Sequence, residues 1–320
     1  MTSVPPPSGF GSAPPARPEL PEGLPPERVP RDVPELLRRD GWLALPVWVP
    51  FAAMFGAVIA ILVLGAVATG IWLVTDPDAD VESTPDGLLI GLTVVQDALL
   101  IGAAVLAVMA VLKRATPQMF GFRPVAFGTA VKWMIAAYLG YWVFNVLLLG
   151  IFGEPPEQDL VRDLRETQDV AVLIGFGVLT CLVAPVAEEF FFRGFMFSAL
   201  AGRMGVGAAA VVTGAIFGVI HLPGAPLMGV AVLVAFGVAL CLLYWRTGSL
   251  IPCMALHALN NAISFGFTKS LPAWAMLALI AGSVALVVLI ATALARRGPG
   301  ATVPAGTDSS TARIPPSAGP

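Results

Sequence analysis

Residues 170–200 read VAVLIGFGVLTCLVAPVAEEFFFRGFMFSAL, and this stretch decides the fold. It is apolar enough to cross a bilayer, yet its 31 residues exceed the ~17–25 that span hydrocarbon as one straight helix. Part of 188–203 is therefore expected to lie at the interface or beyond it. Three charged side chains, Glu188, Glu189 and Arg193, stand inside the run. Further on come Phe217-Gly218-Val219-Ile220-His221 and His257-Ala258-Leu259-Asn260-Asn261, which hold both histidines of the chain. An ionised group near a bilayer centre costs about 2.5–3.5 kcal/mol on insertion scales. Helix packing in lipid does not require that cost, so these side chains point to a functional site.

The rest of the chain has the same character. Mean hydropathy is +0.84, and 12% of residues are charged against about 25% in soluble domains. Apolar runs fall at 46–74, 87–112, 128–152, 170–200, 206–222, 225–245, 249–266 and 272–295. They predict an all-α, polytopic membrane helix bundle with about eight transmembrane helices. Residues 1–40 are Pro-rich and then charged, and 298–320 are rich in Gly, Pro, Ser, Thr and Ala. Both are expected to be disordered tails flanking a transmembrane domain at 41–297, with a short interfacial helix around 33–42. The opening residues lack the basic-then-apolar layout of a signal peptide. Cys181, Cys241 and Cys253 lie inside apolar runs and read as small buried hydrophobes rather than disulfide partners. A net charge of −3, with no basic patch interleaved with aromatics, gives no sign of a nucleic-acid partner.

Counting Lys and Arg in short loops places both termini in the cytoplasm. Arg38, Arg39, Lys113, Arg114, Arg123, Lys132, Arg203, Arg246, Arg296 and Arg297 then lie inside. The outer loops hold Arg162, Arg165 and Lys269 beside the acidic run Asp76, Asp78, Asp80, Glu82 and Asp86.

Helical spacing links the polar groups. Glu189 and Arg193 are four residues apart and can pair, whereas Glu188 lies about 100° round the helix and points elsewhere. A turn at 203–205 sends the chain roughly 22 Å out from Glu188 and roughly 22 Å back to His221, which puts the two at similar depth. His257 and Asn261 share a face in the next hairpin. A buried glutamate can take a proton from water near neutral pH, with a histidine orienting that water. A second histidine and an asparagine can donate hydrogen bonds to an oxyanion. No Ser, Cys or Thr accompanies the histidines in a nucleophile motif, so activated water is favoured for a hydrolysis. Two other readings stand beside this one. Glu and two His make a plausible zinc set with an open water position, though no HExxH helix is present. Buried Glu, His and Arg also serve transporters or non-enzymatic scaffolds, though no internal repeat relates the halves of this chain. Asp97, an isolated carboxylate in the second run, reads as a local helix contact.

The order EExxxR, FxxxH, HxxxN on successive apolar segments, within 170–266, resembles the CPBP family of intramembrane glutamic endopeptidases, which includes type II CAAX prenyl proteases. The resemblance implies that Glu188 and His221 activate the attacking water and that His257 and Asn261 form the oxyanion hole. Glu189 and Arg193 would support them. It implies no metal and no other cofactor, and a membrane-associated peptide or protein substrate, with or without a lipid group. It also implies access from the cytoplasm. The helix-rise arithmetic instead places Glu188 nearer the outer face, and kinks at Pro185 and Pro223 are expected to reconcile the two.

Overall fold

The computed structural model describes residues 43–296, except 77, 79, 81–83 and 154–158. The tails expected at 1–40 and 298–320, and the interfacial helix expected around 33–42, lie outside the described residues. Within the described residues there are nine helices and no strand. They are α1 (Trp48–Thr75), α2 (Asp86–Leu112), α3 (Phe127–Phe152), α4 (Asp159–Glu166), α5 (Val170–Met204), α6 (Val206–Val219), α7 (Leu227–Thr247), α8 (Leu250–Thr268) and α9 (Ala273–Arg296). Seven of these are long and apolar enough to cross a membrane. The remaining apolar run, 206–222, forms α6, whose 14 residues rise roughly 21 Å, short of a ~30 Å hydrocarbon core. It still carries the chain back from the Arg203 end, so that Leu45 and Ala295 lie at one end of the bundle. The chain is an integral, multi-pass membrane protein.

Burial separates the helices by role. Of an 18-residue apolar stretch in each helix, 6% is buried in α3 against 56% in α8. Phe55, Leu62, Leu139, Ile151 and Leu289 stand exposed on α1, α3 and α9, as side chains facing lipid must. Helix α5 runs through the middle, in contact with α2, α6, α7 and α8.

At 35 residues, α5 would measure roughly 50 Å, longer than one bilayer crossing. It is continuous but not uniformly α-helical, since Leu179–Val183 and Phe190–Phe197 wind as π-helix. The first π segment has a local cause in Pro185. Proline has no N–H to donate and its ring crowds the preceding turn. Ala184 N–H pairs with Leu179 O in the wider register. The next donor in that register would be Pro185, which leaves the Thr180 carbonyl without a helix partner. Asn261 Nδ2 of α8 donates to that carbonyl at 2.8 Å. No sharp kink is needed, because the expected break at Pro185 is absorbed as a change of winding.

Helix α5 begins with Asp169 accepting from the Ala171 and Val172 N–H groups. It ends at Gly205, whose φ of +82° reverses the chain into α6 in a conformation only glycine adopts readily. Helix α6 packs on α7 through Gly214 and Gly218. A Cβ at Gly214 would meet Val238 Cγ2 at 2.7 Å and the Val238 backbone nitrogen at 2.9 Å. This small-xxx-small contact is a recognised device for close approach of helices in membranes.

The cationic loops gather at one end of the bundle. Arg203 Nε donates to Leu45 O, Gln118 Nε2 to Ala295 O, and Ser249 Oγ to Arg123 O. Arg246 stacks on Trp133 and Trp245, with centroid distances of 4.6 and 4.1 Å. At the opposite end, Lys269 Nζ reaches the carbonyls of Arg165 and Thr167.

Candidate active site

Glu189 occupies the centre of the site, fully buried. Its Oε1 accepts from Arg193 Nη1 at 2.7 Å and from His257 Nδ1 at 2.8 Å. Arg193, also fully buried, turns its Nη2 to the Gly237 carbonyl of α7 at 3.2 Å. One carboxylate thus ties α5 to α8, and one guanidinium ties α5 to α7. Charge-assisted hydrogen bonds in a low-dielectric interior are the strong ones, so this trio fixes the relative position of three helices.

Aromatic rings close the trio from the sides. The Arg193 guanidinium lies 4.6 Å from the centroid of Phe217, a cation–π distance. Phe192 meets Phe217 edge-on at 5.1 Å, and Phe236 packs on the His257 ring at 5.4 Å. Phe190, Phe191 and Phe192 are buried, so they serve the interior rather than the lipid face.

Glu188 has a different environment. Its side chain is 14% exposed, and its nearest charged partner is His257, with Nε2 to Oε2 at 3.9 Å. Because His257 Nδ1 is committed to Glu189, the ring is oriented with Nε2 toward Glu188. An imidazole whose Nδ1 is held by a carboxylate is a familiar means of fixing the ring for proton chemistry.

His221 lies beyond the end of α6, in the turn leading to α7, and is half-buried. Its Nδ1 donates to Phe217 O at 2.7 Å, so the neutral ring presents Nε2 as an acceptor. His221 touches Phe217 at a centroid distance of 5.1 Å, and the opposite neighbour of Phe217 is His257 at 6.1 Å. The two histidines therefore flank one phenylalanine. The structure gives His221 no direct bond to Glu188.

Asn261 is also half-buried. One N–H of its amide is spent on Thr180 O, and its Oδ1 accepts from Asn260 Nδ2 at 3.4 Å. An amide has two N–H donors, so one remains for a ligand.

Among the described residues, no three His, Cys, Asp or Glu side chains converge as a metal-ligand set. The three cysteines are free and buried. Asp97, expected as a local helix contact, is 2% exposed, and neither carboxyl oxygen has a hydrogen-bond partner. Sequence reasoning also missed Gly214, Gly218 and Gly237, which bring α7 close enough to receive Arg193. The GxxxG spacing in an apolar run was the available signal.

A polytopic helix bundle with a carboxylate–imidazole–guanidinium cluster sealed between its helices defines a membrane protein built around an intramembrane polar site. Residues 170–263 match the family model described as "Rce1-like: Type II CAAX prenyl endopeptidase Rce1-like". The match covers less than a third of the chain and includes all three motifs, in line with the resemblance they carry. The similarity is thus to CAAX prenyl endopeptidases, over this segment alone. No curated protein and no solved structure matches the chain.

Proposed function

We propose that this protein is an intramembrane endopeptidase that hydrolyses a peptide bond with water activated by Glu188 and His221. The observation that carries the reading is the unequal treatment of two adjacent carboxylates. Glu189 is consumed by Arg193 and His257, while Glu188 keeps a partly exposed side chain beside an oriented imidazole. In the reaction, the water oxygen bonds to the substrate carbonyl carbon as Glu188 takes its proton. His221 accepts a hydrogen bond at Nε2 and orients the water. The free N–H of Asn261, and the Nε2–H of His257 when that ring is protonated, stabilise the oxyanion. Collapse breaks the C–N bond, and the proton held by Glu188 passes to the leaving amine.

The substrate is a membrane-associated peptide or protein, and one bearing a lipid chain suits the surroundings. A cleft of about 600 Å³ runs between α5, α8 and α9, lined by Leu173, Gly177, Cys181, Phe265, Leu279 and Leu286. It begins one residue from Thr180, which anchors Asn261. Access from the cytoplasm, with both termini on that side, is supported by the clustering of cationic loops at one end. It is also supported by α8, on which His257 is seven residues from Leu250, roughly 10 Å from that end.

The test is cleavage of an internally quenched, prenylated peptide with a Cys-aliphatic-aliphatic-X terminus by the full chain in detergent. Wild type should cleave it and Glu188→Gln should not. Equal cleavage by both would defeat the proposal.

A further inference from the structure

Helix α3 is the least buried of the seven spanning helices, yet it carries two of the chain's three tyrosines and one of its three asparagines. Tyr138, Tyr141 and Asn145 fall at i, i+3 and i+7, on one face. That face is turned inward. Tyr138 and Tyr141 are half-buried and Asn145 is buried, while Leu139, Trp142, Val143, Phe144 and Val146 beside them are exposed. Helix α3 packs on α7 and α8. Tyr141 meets Phe236 of α7 at 5.0 Å between ring centroids, and Phe236 in turn packs on His257. Tyr138 reaches α8 directly, its hydroxyl donating to Asn260 Oδ1 at 3.5 Å.

Three hydrogen bonds in series therefore run from α3 through α8 to α5. Tyr138 donates to Asn260 Oδ1, Asn260 Nδ2 donates to Asn261 Oδ1 at 3.4 Å, and Asn261 Nδ2 donates to Thr180 O at 2.8 Å. The direction is set at the α5 end. A carbonyl only accepts, so Asn261 must turn its Nδ2 to Thr180 and its Oδ1 to Asn260. Asn260 must then present Nδ2 to Asn261, which leaves its Oδ1 for the tyrosine hydroxyl. Turning either amide over would set two acceptors face to face.

We propose that Tyr138 and Asn260 are positioning residues of this site, which hold the Asn261 amide so that its remaining N–H serves the oxyanion. The inference rests on the reading above, in which Asn261 is an oxyanion donor. The links at 3.5 and 3.4 Å are longer than well-formed hydrogen bonds between such groups, and catalytic hydrogen bonds of this kind tighten when the reacting complex forms. Donation from Asn261 to the oxyanion makes its Oδ1 a better acceptor. The gain passes through Asn260 to Tyr138, because hydrogen bonds in series strengthen one another. Tyr138 therefore acts more on the transition state than on the ground state, which is what raises turnover.

Tyr138→Phe removes the hydroxyl and keeps the ring. For the full chain in detergent, acting on the prenylated peptide, kcat should fall about tenfold, less than the about 10²–10³-fold that losing an oxyanion donor itself costs. KM and the thermal midpoint should not change. Asn260→Leu cuts the middle link and should lower kcat by a similar factor. In an Asn261→Ala background neither change should lower kcat further, because the group they position is gone. Wild-type kcat in Tyr138→Phe, or an equal fall in both backgrounds, overturns the proposal. A readout without substrate is NMR of the protein isotope-labelled at its three asparagines, in which the Asn261 side-chain amide is the resonance lost in Asn261→Ala. It should shift in Tyr138→Phe, and an unmoved resonance also overturns the proposal. If wild type cleaves nothing while the resonance shifts, the peptidase reading fails and the positioning of Asn261 by Tyr138 stands.

Discussion

Glu188 and Glu189 are neighbours in the chain and opposites in the fold. Glu189 belongs to a sealed centre with Arg193 and His257, where every formal charge has a bonded partner. Glu188, His221 and Asn261 form a half-open rim, and each retains an unspent polar atom. The difference follows from helical rotation. Moving one residue along α5 turns the side chain by about 100°, so that Glu189 bonds His257 Nδ1 while Glu188 lies 3.9 Å from the Nε2 of the same ring. The lesson is that the centre stores rigidity and the rim holds reactivity, so substitutions on either side should fail in different ways.

The largest effect expected is on the rim. Glu188→Gln should reduce turnover by 10²–10⁴-fold or about that order, as loss of a general base does, while the thermal midpoint in detergent stays near wild type. Full turnover would break the comparison at once. The next largest lies in the centre. Glu189→Gln leaves Arg193 and His257 buried without their carboxylate, and removing one partner of a buried pair costs about 3–5 kcal/mol. Thermal or denaturant unfolding in detergent measures this, and a wild-type midpoint would show that the trio does not hold the helices. Replacing Glu189 and Arg193 together by leucine and methionine should cost less than Glu189→Gln alone.

A smaller effect sharpens the boundary between the two regions. Asn261→Ala should destabilise by about 1–3 kcal/mol, the cost of an unsatisfied buried carbonyl, here that of Thr180. In a Pro185→Ala background the helix recovers an N–H for that carbonyl, so Asn261→Ala should cost less there. Equal costs in both backgrounds would show that Pro185 is not what orphans Thr180. The smallest change is one of accessibility. With Cys181, Cys241 and Cys253 replaced, single cysteines at 188 and 221 should react with a membrane-impermeant thiol reagent added from the cytoplasmic side, and a cysteine at 257 should react far more slowly. Labelling from the outer side alone would reverse the proposed orientation. A chelator should leave turnover unchanged, and loss restored by zinc would return the zinc reading.

Much of this was legible in the sequence for simple reasons. Apolar runs of bilayer length read as helices because lipid offers the backbone no other partner. The Glu189–Arg193 pair followed from four-residue spacing. Other features had no local signature. That His257 rather than His221 reaches Glu188 depends on how α8 crosses α5. The spending of one Asn261 donor on Thr180 depends on a π register set by a proline in another helix. The helix-rise estimate of about 22 Å from Glu188 to the turn at 203–205 assumed α-helical rise throughout, and the π winding of Phe190–Phe197 alters only part of that path.

The sequence by itself determined a multi-pass helical membrane protein and the short list of side chains able to do chemistry in it, because burying charge in lipid is too costly to occur without use. Only the tertiary structure decided which carboxylate is consumed and which is left open. Those outcomes depend on distances across helices far apart in the chain, fixed by glycine contacts and π turns that shift a side chain by a fraction of a helical turn.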